Sequence, residues 1–215
     1  MCAIESELSD AGAPYDRRAA MYDRLVRSRT YNRIAWSCLP EDYATFAAVA
    51  FASGTGPLLE AAAGSAAATA PLHASTQRST VLVDLSRKML ERAAQNIAGD
   101  RRELPAHVRL VQADILALPF AARGFSTVLG LGMTHLFDDL QAVVGSLHAQ
   151  LAPGGELHLA GLVAQTRRGR RYPEILHRAG EVAAPMTADE LHAALGGPTR
   201  FHVTGCMAYA TLDAA

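Results

Sequence analysis

Apolar and polar positions change grammar near Ser53. Over residues 9–53 the spacing is helical, with Tyr15, Tyr22, Tyr31, Trp36 and Tyr43 spread through it. Gly54-Thr55-Gly56-Pro57 then breaks the period. Beyond it, short apolar runs closed by turn residues alternate with amphipathic stretches, the pattern of repeated strand–helix units. Residues 58–60, 80–84, 108–114, 127–131 and 156–163 read as strands. Small residues follow the first strand through Ala70 and lead into a helical stretch. Residues 86–97 and 140–151 read as helices, the second running into a Pro153-Gly154-Gly155 turn. Further helices are expected near 172–183 and 187–195, and residues 200–212 read as a β-hairpin about Gly205. Alternation at this spacing predicts an α/β fold with a parallel sheet covered by helices on both faces. Right-handed crossovers then bring the C-terminal ends of the strands to one edge.

Composition narrows the class without choosing a chemistry. The chain has 215 residues, half of them apolar and 19% charged, with a net charge of −1. That suits one domain with a substantial core and excludes a disordered polymer. The basic run Arg167, Arg168, Arg170 and Arg171 is too local for a nucleic-acid footprint and reads as a solvated loop. Cys2, Cys38 and Cys206 are far apart and odd in number, so neither a disulfide framework nor a metal site is expected. The acidic N-terminus lacks the apolar segment of a signal peptide, and no apolar run is long enough to span a membrane. These features give the expectation of a cytoplasmic protein, monomeric or homodimeric, with no membrane, nucleic-acid or metal partner.

Three predicted strands end in or beside a carboxylate: Glu60, Asp84 and Asp114. All three fall on the edge where open α/β sheets bind ligands. The first is followed by Ala61-Ala62-Ala63-Gly64-Ser65-Ala66, small enough for a ligand to approach the backbone. The turn lacks both the G-x-G-x-x-G fingerprint and a phosphate loop with its lysine, and an Ala-rich start to a buried helix explains it as well. Asp84 admits two roles, acceptor for a ribose diol or N-cap of the helix that follows. Asp114 likewise suits an adenine amine or the opening of a turn before Leu118-Pro119.

Order and spacing over residues 58–163 resemble the class I S-adenosylmethionine-dependent methyltransferases. The more specific pieces are Val83-Asp84-Leu85-Ser86 with Met89-Leu90, and Ala113-Asp114 with Leu118-Pro119-Phe120. Residues 19–36, with Tyr22 and Trp36, are more loosely similar to the aromatic-bearing covering helices of the quinone and small-molecule C-methyltransferase branch. The resemblance implies a Rossmann-like, mostly parallel seven-stranded sheet with a C-terminal antiparallel hairpin. Residues 1–53 would be a helical cover of the same domain, and residues 54–215 the cofactor-binding core. It implies S-adenosyl-L-methionine as cofactor and a small-molecule acceptor. Glu60, Ala62, Gly64 and Ser65 would border the methionine moiety, and Asp84 and Leu85 the ribose. Met89 would pack on the adenosine, Asp114 and Ile115 would hold adenine, and the Gly130-Leu131 carbonyls would take the amino group, with Tyr22 and Trp36 covering the cofactor. Two positions depart from the family. Ala62 and Ala66 stand where it usually has glycine, so the turn is expected to be ordinary in conformation or the cofactor displaced. Ser126 stands where it often has Asp.

Transfer from a sulfonium needs alignment first, and a base only for a protonated acceptor. His135, just past the fourth strand, is the candidate base, with packing beside the cofactor as the competing role. The other histidines have no matching partner in the sequence and are expected at surface or core positions. A protein that binds the cofactor without transferring its methyl is the alternative reading, motivated by the alanines in the turn.

Overall fold

The computed structural model describes residues 5–6, 39–165, 167–178, 180 and 182–214. In chain order its strands are β1 (Glu5–Ser6), β2 (Leu58–Ala61), β3 (Thr80–Asp84), β4 (Val108–Gln112), β5 (Phe125–Gly130), β6 (Leu151–Leu162), β7 (Arg200–Thr204) and β8 (Met207–Asp213). Six α-helices are described: α1 (Pro40–Ala52), α2 (Ala70–Ser75), α3 (Arg87–Ala98), α4 (Leu140–His148), α5 (Arg167–Arg178) and α6 (Ala188–Ala194).

The sheet order is β1-β4-β3-β2-β5-β6-β8-β7. Strands β1 to β6 pair in parallel, and β8 joins β6 and β7 antiparallel. This is the Rossmann-like sheet with its terminal hairpin; the two-residue β1 on the outer edge is an addition the apolar pattern does not signal. From β2 the chain winds outward through β3 and β4, then returns to lay β5 and β6 on the other side. The switch point therefore lies between β2 and β5, the place where open α/β sheets bind ligands beyond the strand ends.

Strand alternation divides the core between two faces. Leu59, Val81, Val83, Val111, Val128 and Leu157 point to one face, against Leu140, Val143 and Leu147 of α4 and Leu191 of α6. On the other face Leu82 and Leu110 meet Leu90, Ala93 and Ile97 of α3. There too Leu129, Ala160 and Tyr209 meet Phe46, Ala47 and Ala50 of α1.

Local signals place the helix starts. Ser86 caps α3 by accepting from Met89 N, Asp139 caps α4 by accepting from Ala142 N, and Thr187 with Glu190 forms a capping box on α6. One expectation is corrected: Pro153-Gly154-Gly155 is not a turn ahead of the strand but lies inside β6. Phe125 pairs with Leu151 and Thr127 with Glu156, so the intervening residues bulge out of register while β5 continues.

Candidate functional site

At the β2–β3 edge the chain makes a tight turn whose centre is Gly64. Its φ is +54°, flanked by Ala62 at +48° and Ala66 at +52°. Of the two alternatives expected for this turn, the ordinary conformation is therefore excluded. The left-handed conformation has been kept and alanine placed in it, where the Cβ crowds the following carbonyl. A Cβ added at Gly64 would meet nothing within 4 Å, so the apex faces open space.

Asp84 reaches across to this apex. Gly64 N donates to its Oδ2 at 2.7 Å and Ser86 N to its Oδ1 at 2.8 Å. The helix-capping role falls to Ser86, leaving the Asp84 carboxylate at the strand edge. An ionised carboxylate is an acceptor at both oxygens, the chemistry that a ribose diol requires. The β4 end is joined to the same place: Ala113 N donates to Asp84 O at 3.2 Å and Gln112 Nε2 to Leu85 O at 3.1 Å. Asp114 thus sits on the loop beside Asp84, its Oδ1 accepting from Leu116 N at 2.9 Å.

Apolar groups at this edge differ from those expected. Ile115 is buried in the core, whereas Leu116 is 52% and Leu85 45% exposed. Met89, expected on the adenosine, faces inward on α3 at 3% exposure. The surface left for a flat ring is that of Leu85 and Leu116. Leu116 was missed because sequence alone does not say which of two adjacent apolar residues turns inward.

Glu60 also stands elsewhere than expected. Strand β2 continues to Ala61, so Glu60 lies within it and shares the inward face of Leu82 and Leu110. It is 2% exposed, with Thr69 Oγ1 donating to Oε1 at 3.0 Å and His73 Nε2 2.5 Å from Oε2. Its carboxylate is engaged beneath the turn and does not face the crevice. Ser65 is buried as well, its carbonyl accepting from Asn96 Nδ2 at 2.8 Å. Gly130 closes β5 under the buried Met133 side chain, which occupies the space a Cβ would need; Leu131 packs against the α1 side of the core. Tyr15, Tyr22, Tyr31 and Trp36 lie outside the described residues.

His135 stands beyond the ends of β5 and β6, in a pocket lined by Thr134, Leu162, Ala183, Ala184, Met186 and Leu191. Leu162 N donates to its Nδ1 at 3.2 Å. The neutral ring therefore carries its proton on Nε2. Burial among these uncharged neighbours pushes its pKa down to about 4. A base needs a lone pair facing the substrate, and here the uncommitted nitrogen already bears hydrogen. The expectation of a general base is corrected on this ground; what the geometry offers is an N–H donor.

Two other histidines lie against carboxylates: His73 against Glu60, 13 residues away in the sequence, and His158, 3.1 Å from Glu156 Oε2 on the same strand. Burial lowers the His158 pKa, with Glu156 opposing it incompletely. His135 and His158 thus share a linkage sign. The unfolded chain takes up protons first as pH falls through about 6.5, so their stabilisation is complete above that value and is lost below it, for His135 down to about 4. Urea denaturation is expected to give about 2 kcal/mol less stability from His135 at pH 5.0 than at pH 7.5, each unit below 6.5 weighing about 1.4 kcal/mol. His135→Gln should flatten this fall, and an unchanged pH slope in that variant would refute the assignment.

The open apex at Gly64 and the Asp84 carboxylate thus meet at the C-terminal strand edge of a doubly wound sheet. Residues 58–155 match the family model described as a methyltransferase domain. Over these residues the chain is similar to a methyltransferase domain. No curated protein sequence matches it. Among solved structures it is similar to the geranyl diphosphate C-methyltransferase of Streptomyces coelicolor A3(2), crystallised with Mg2+, geranyl diphosphate and S-adenosyl-L-homocysteine. Identity there is 14%, the TM-score 0.70, and coverage 97% of this chain and 100% of that one. A Thermotoga maritima methyltransferase, described as a possible histamine N-methyltransferase, gives 16% identity, a TM-score of 0.68 and coverage of 94% and 98%. The [4+2]-cyclase SpnF gives 14%, 0.69, and 94% and 77%. At these identities the likeness is one of fold.

The residues present fit S-adenosylmethionine. Open space stands over Gly64, the Asp84 carboxylate lies beside it, and two exposed leucines border the adjoining loop ends.

Proposed function

We propose that the protein transfers the methyl group of S-adenosylmethionine to a small-molecule acceptor. The observation that carries this reading is the meeting of Asp84 with the open apex at Gly64, at the switch point of the sheet. Asp84 accepts from the ribose diol, Asp114 from the adenine amine, and Leu85 and Leu116 cover the faces of the ring. The backbone of Ala62, Gly64 and Ser65 borders the methionine moiety, with Gly130 and Leu131 supplying carbonyl oxygens for its amino group. The bound cofactor supplies an electrophilic methyl together with its own leaving group.

The acceptor lies toward the β5 and β6 ends, where His135 Nε2–H donates to an acceptor oxygen and positions it. Alignment and exclusion of water carry the rate, roughly 7–11 kcal/mol in well-aligned systems, and no side-chain base is required when the acceptor arrives nucleophilic. The reading assigns residues 1–53 to a cover of the same domain, with Tyr22 and Trp36, which lie outside the described residues, as its aromatic contacts to the cofactor. In the described part of this segment, α1 is packed on the sheet through Phe46, Ala47 and Ala50. The small-molecule assignment draws support from the geranyl diphosphate relative. Among the described residues no helix is long and apolar enough to cross a membrane.

A second reading, cofactor binding without transfer, is favoured by the alanines in the turn and the likeness to a [4+2]-cyclase. Isothermal titration with S-adenosylhomocysteine tests both: micromolar binding is expected, and its absence sinks them together. Mass spectrometry of candidate acceptors after incubation with S-adenosylmethionine separates them. The leading reading expects a product one methylene heavier at more than one turnover, and the second expects none.

A further inference from the structure

The backbone at Ala62 and Ala66 is held against its own preference. A left-handed conformation is unfavourable for alanine by roughly 5- to 30-fold in population per residue. Such geometry persists where surrounding contacts over-determine it. Those contacts bracket the turn. Glu60 precedes it in β2, and Thr69 and His73 follow it at the start of α2. Thr69 Oγ1 donates to one oxygen of Glu60 and His73 Nε2 sits on the other, so one carboxylate ties the two ends of the turn together. All three side chains are buried. His73 is anchored in turn by His107 Nε2 on its carbonyl at 2.9 Å and by a T-shaped contact with the Phe51 ring, centroids 4.9 Å apart. Bonds from Gly64 N to Asp84 and from Asn96 to the Ser65 carbonyl hold the middle.

We infer that Thr69 and His73, acting through Glu60, are positioning residues for cofactor binding: their clamp takes over the role that glycine's freedom plays when glycine stands at positions 62 and 66. The inference rests on the cofactor reading above. None of the three residues touches the ligand. They keep the Gly64 apex open toward it, so the clamp matters in proportion to the strain it restrains.

A double-mutant cycle on the full chain tests this with four proteins: wild type, Thr69→Val, Ala62→Gly/Ala66→Gly, and the combination. By calorimetry with S-adenosylhomocysteine, Thr69→Val is expected to weaken binding about tenfold in the alanine background, the worth of one buried hydrogen bond. In the glycine background, where the turn no longer relaxes away, the loss should be about twofold or less. Thermal melting without ligand should show the opposite asymmetry. In the alanine background loss of the clamp is partly offset by relief of strain, so the fall in Tm should be smaller there, by about 3 °C. A merely structural role would move both readouts alike. Equal affinity losses in the two backgrounds, or an additive melting cycle, would overturn the inference. If Thr69→Val does not fold, Glu60→Gln takes its place in the same cycle. Should the wild type not bind S-adenosylhomocysteine, the cofactor reading falls, while the melting cycle still decides the clamp.

Discussion

Arg78→Ala is expected to destabilise the protein by about 4 kcal/mol, a loss at the upper end of what one side chain causes. The guanidinium lies just ahead of β3, at the sheet edge opposite the crevice. Its five N–H groups are all used: Nε donates to Gly56 O at 2.8 Å, Nη1 to Phe51 O at 2.8 Å and Ala50 O at 3.5 Å, and Nη2 to Ser126 Oγ at 3.0 Å and Thr127 Oγ1 at 2.8 Å. Ala50 and Phe51 end α1, so the cation also sits at the negative end of the helix dipole. One side chain thereby joins α1, the approach to β2, and β5. Among the described residues it has no carboxylate within ion-pair distance, and burial lowers its pKa. Ser126, where the family often has Asp, is one of its acceptors. Truncation leaves several half-buried acceptors unpaired, which is the expensive way to lose hydrogen bonds. Arg78→Lys should recover less than half of the loss, since three donors on one nitrogen cannot reproduce a planar fork. Urea denaturation at neutral pH measures this, and a change below about 1 kcal/mol would show that the network is not stabilising.

Asp84 has the largest expected effect on ligand affinity. Asp84→Ala should weaken S-adenosylhomocysteine binding by about 100-fold or more. Two hydrogen bonds to a charged acceptor are each worth about 1.5–3 kcal/mol, and the Gly64 apex loses its tether as well. Asp84→Asn keeps the shape and one acceptor oxygen, so a loss of about tenfold is expected. Calorimetry measures both, with circular dichroism confirming a folded chain. An Asn variant binding within threefold of the wild type would remove Asp84 from the site. The same result with Asp114→Asn would leave the ribose assignment intact and dismiss only the adenine contact.

Much of this architecture is written locally. β3 occupies the residues its apolar run predicts, Ser86 and Thr187 cap the helices they precede, and the hairpin turns at Gly205. Strand periods, caps and turn glycines act over a few residues and survive without knowledge of neighbours. Even the gathering of Asp84 and Asp114 at one edge follows from parallel strands with right-handed crossovers. Other features came from contacts between distant segments. Glu60 turns inward because β2 runs one residue further and meets His73. Leu116 rather than Ile115 stays exposed because the core beneath β4 takes only one of them. Pro153-Gly154-Gly155 bulges within β6 because β5 pairs on both sides of it. Ala62 and Ala66 adopt positive φ against their intrinsic preference, and His135 receives its tautomer from a backbone N–H on another strand. Sequence by itself determined the order of the elements and the edge where the acidic residues gather. The tertiary structure decided which of those residues face the crevice, because orientation depends on register and on partners far away in the chain.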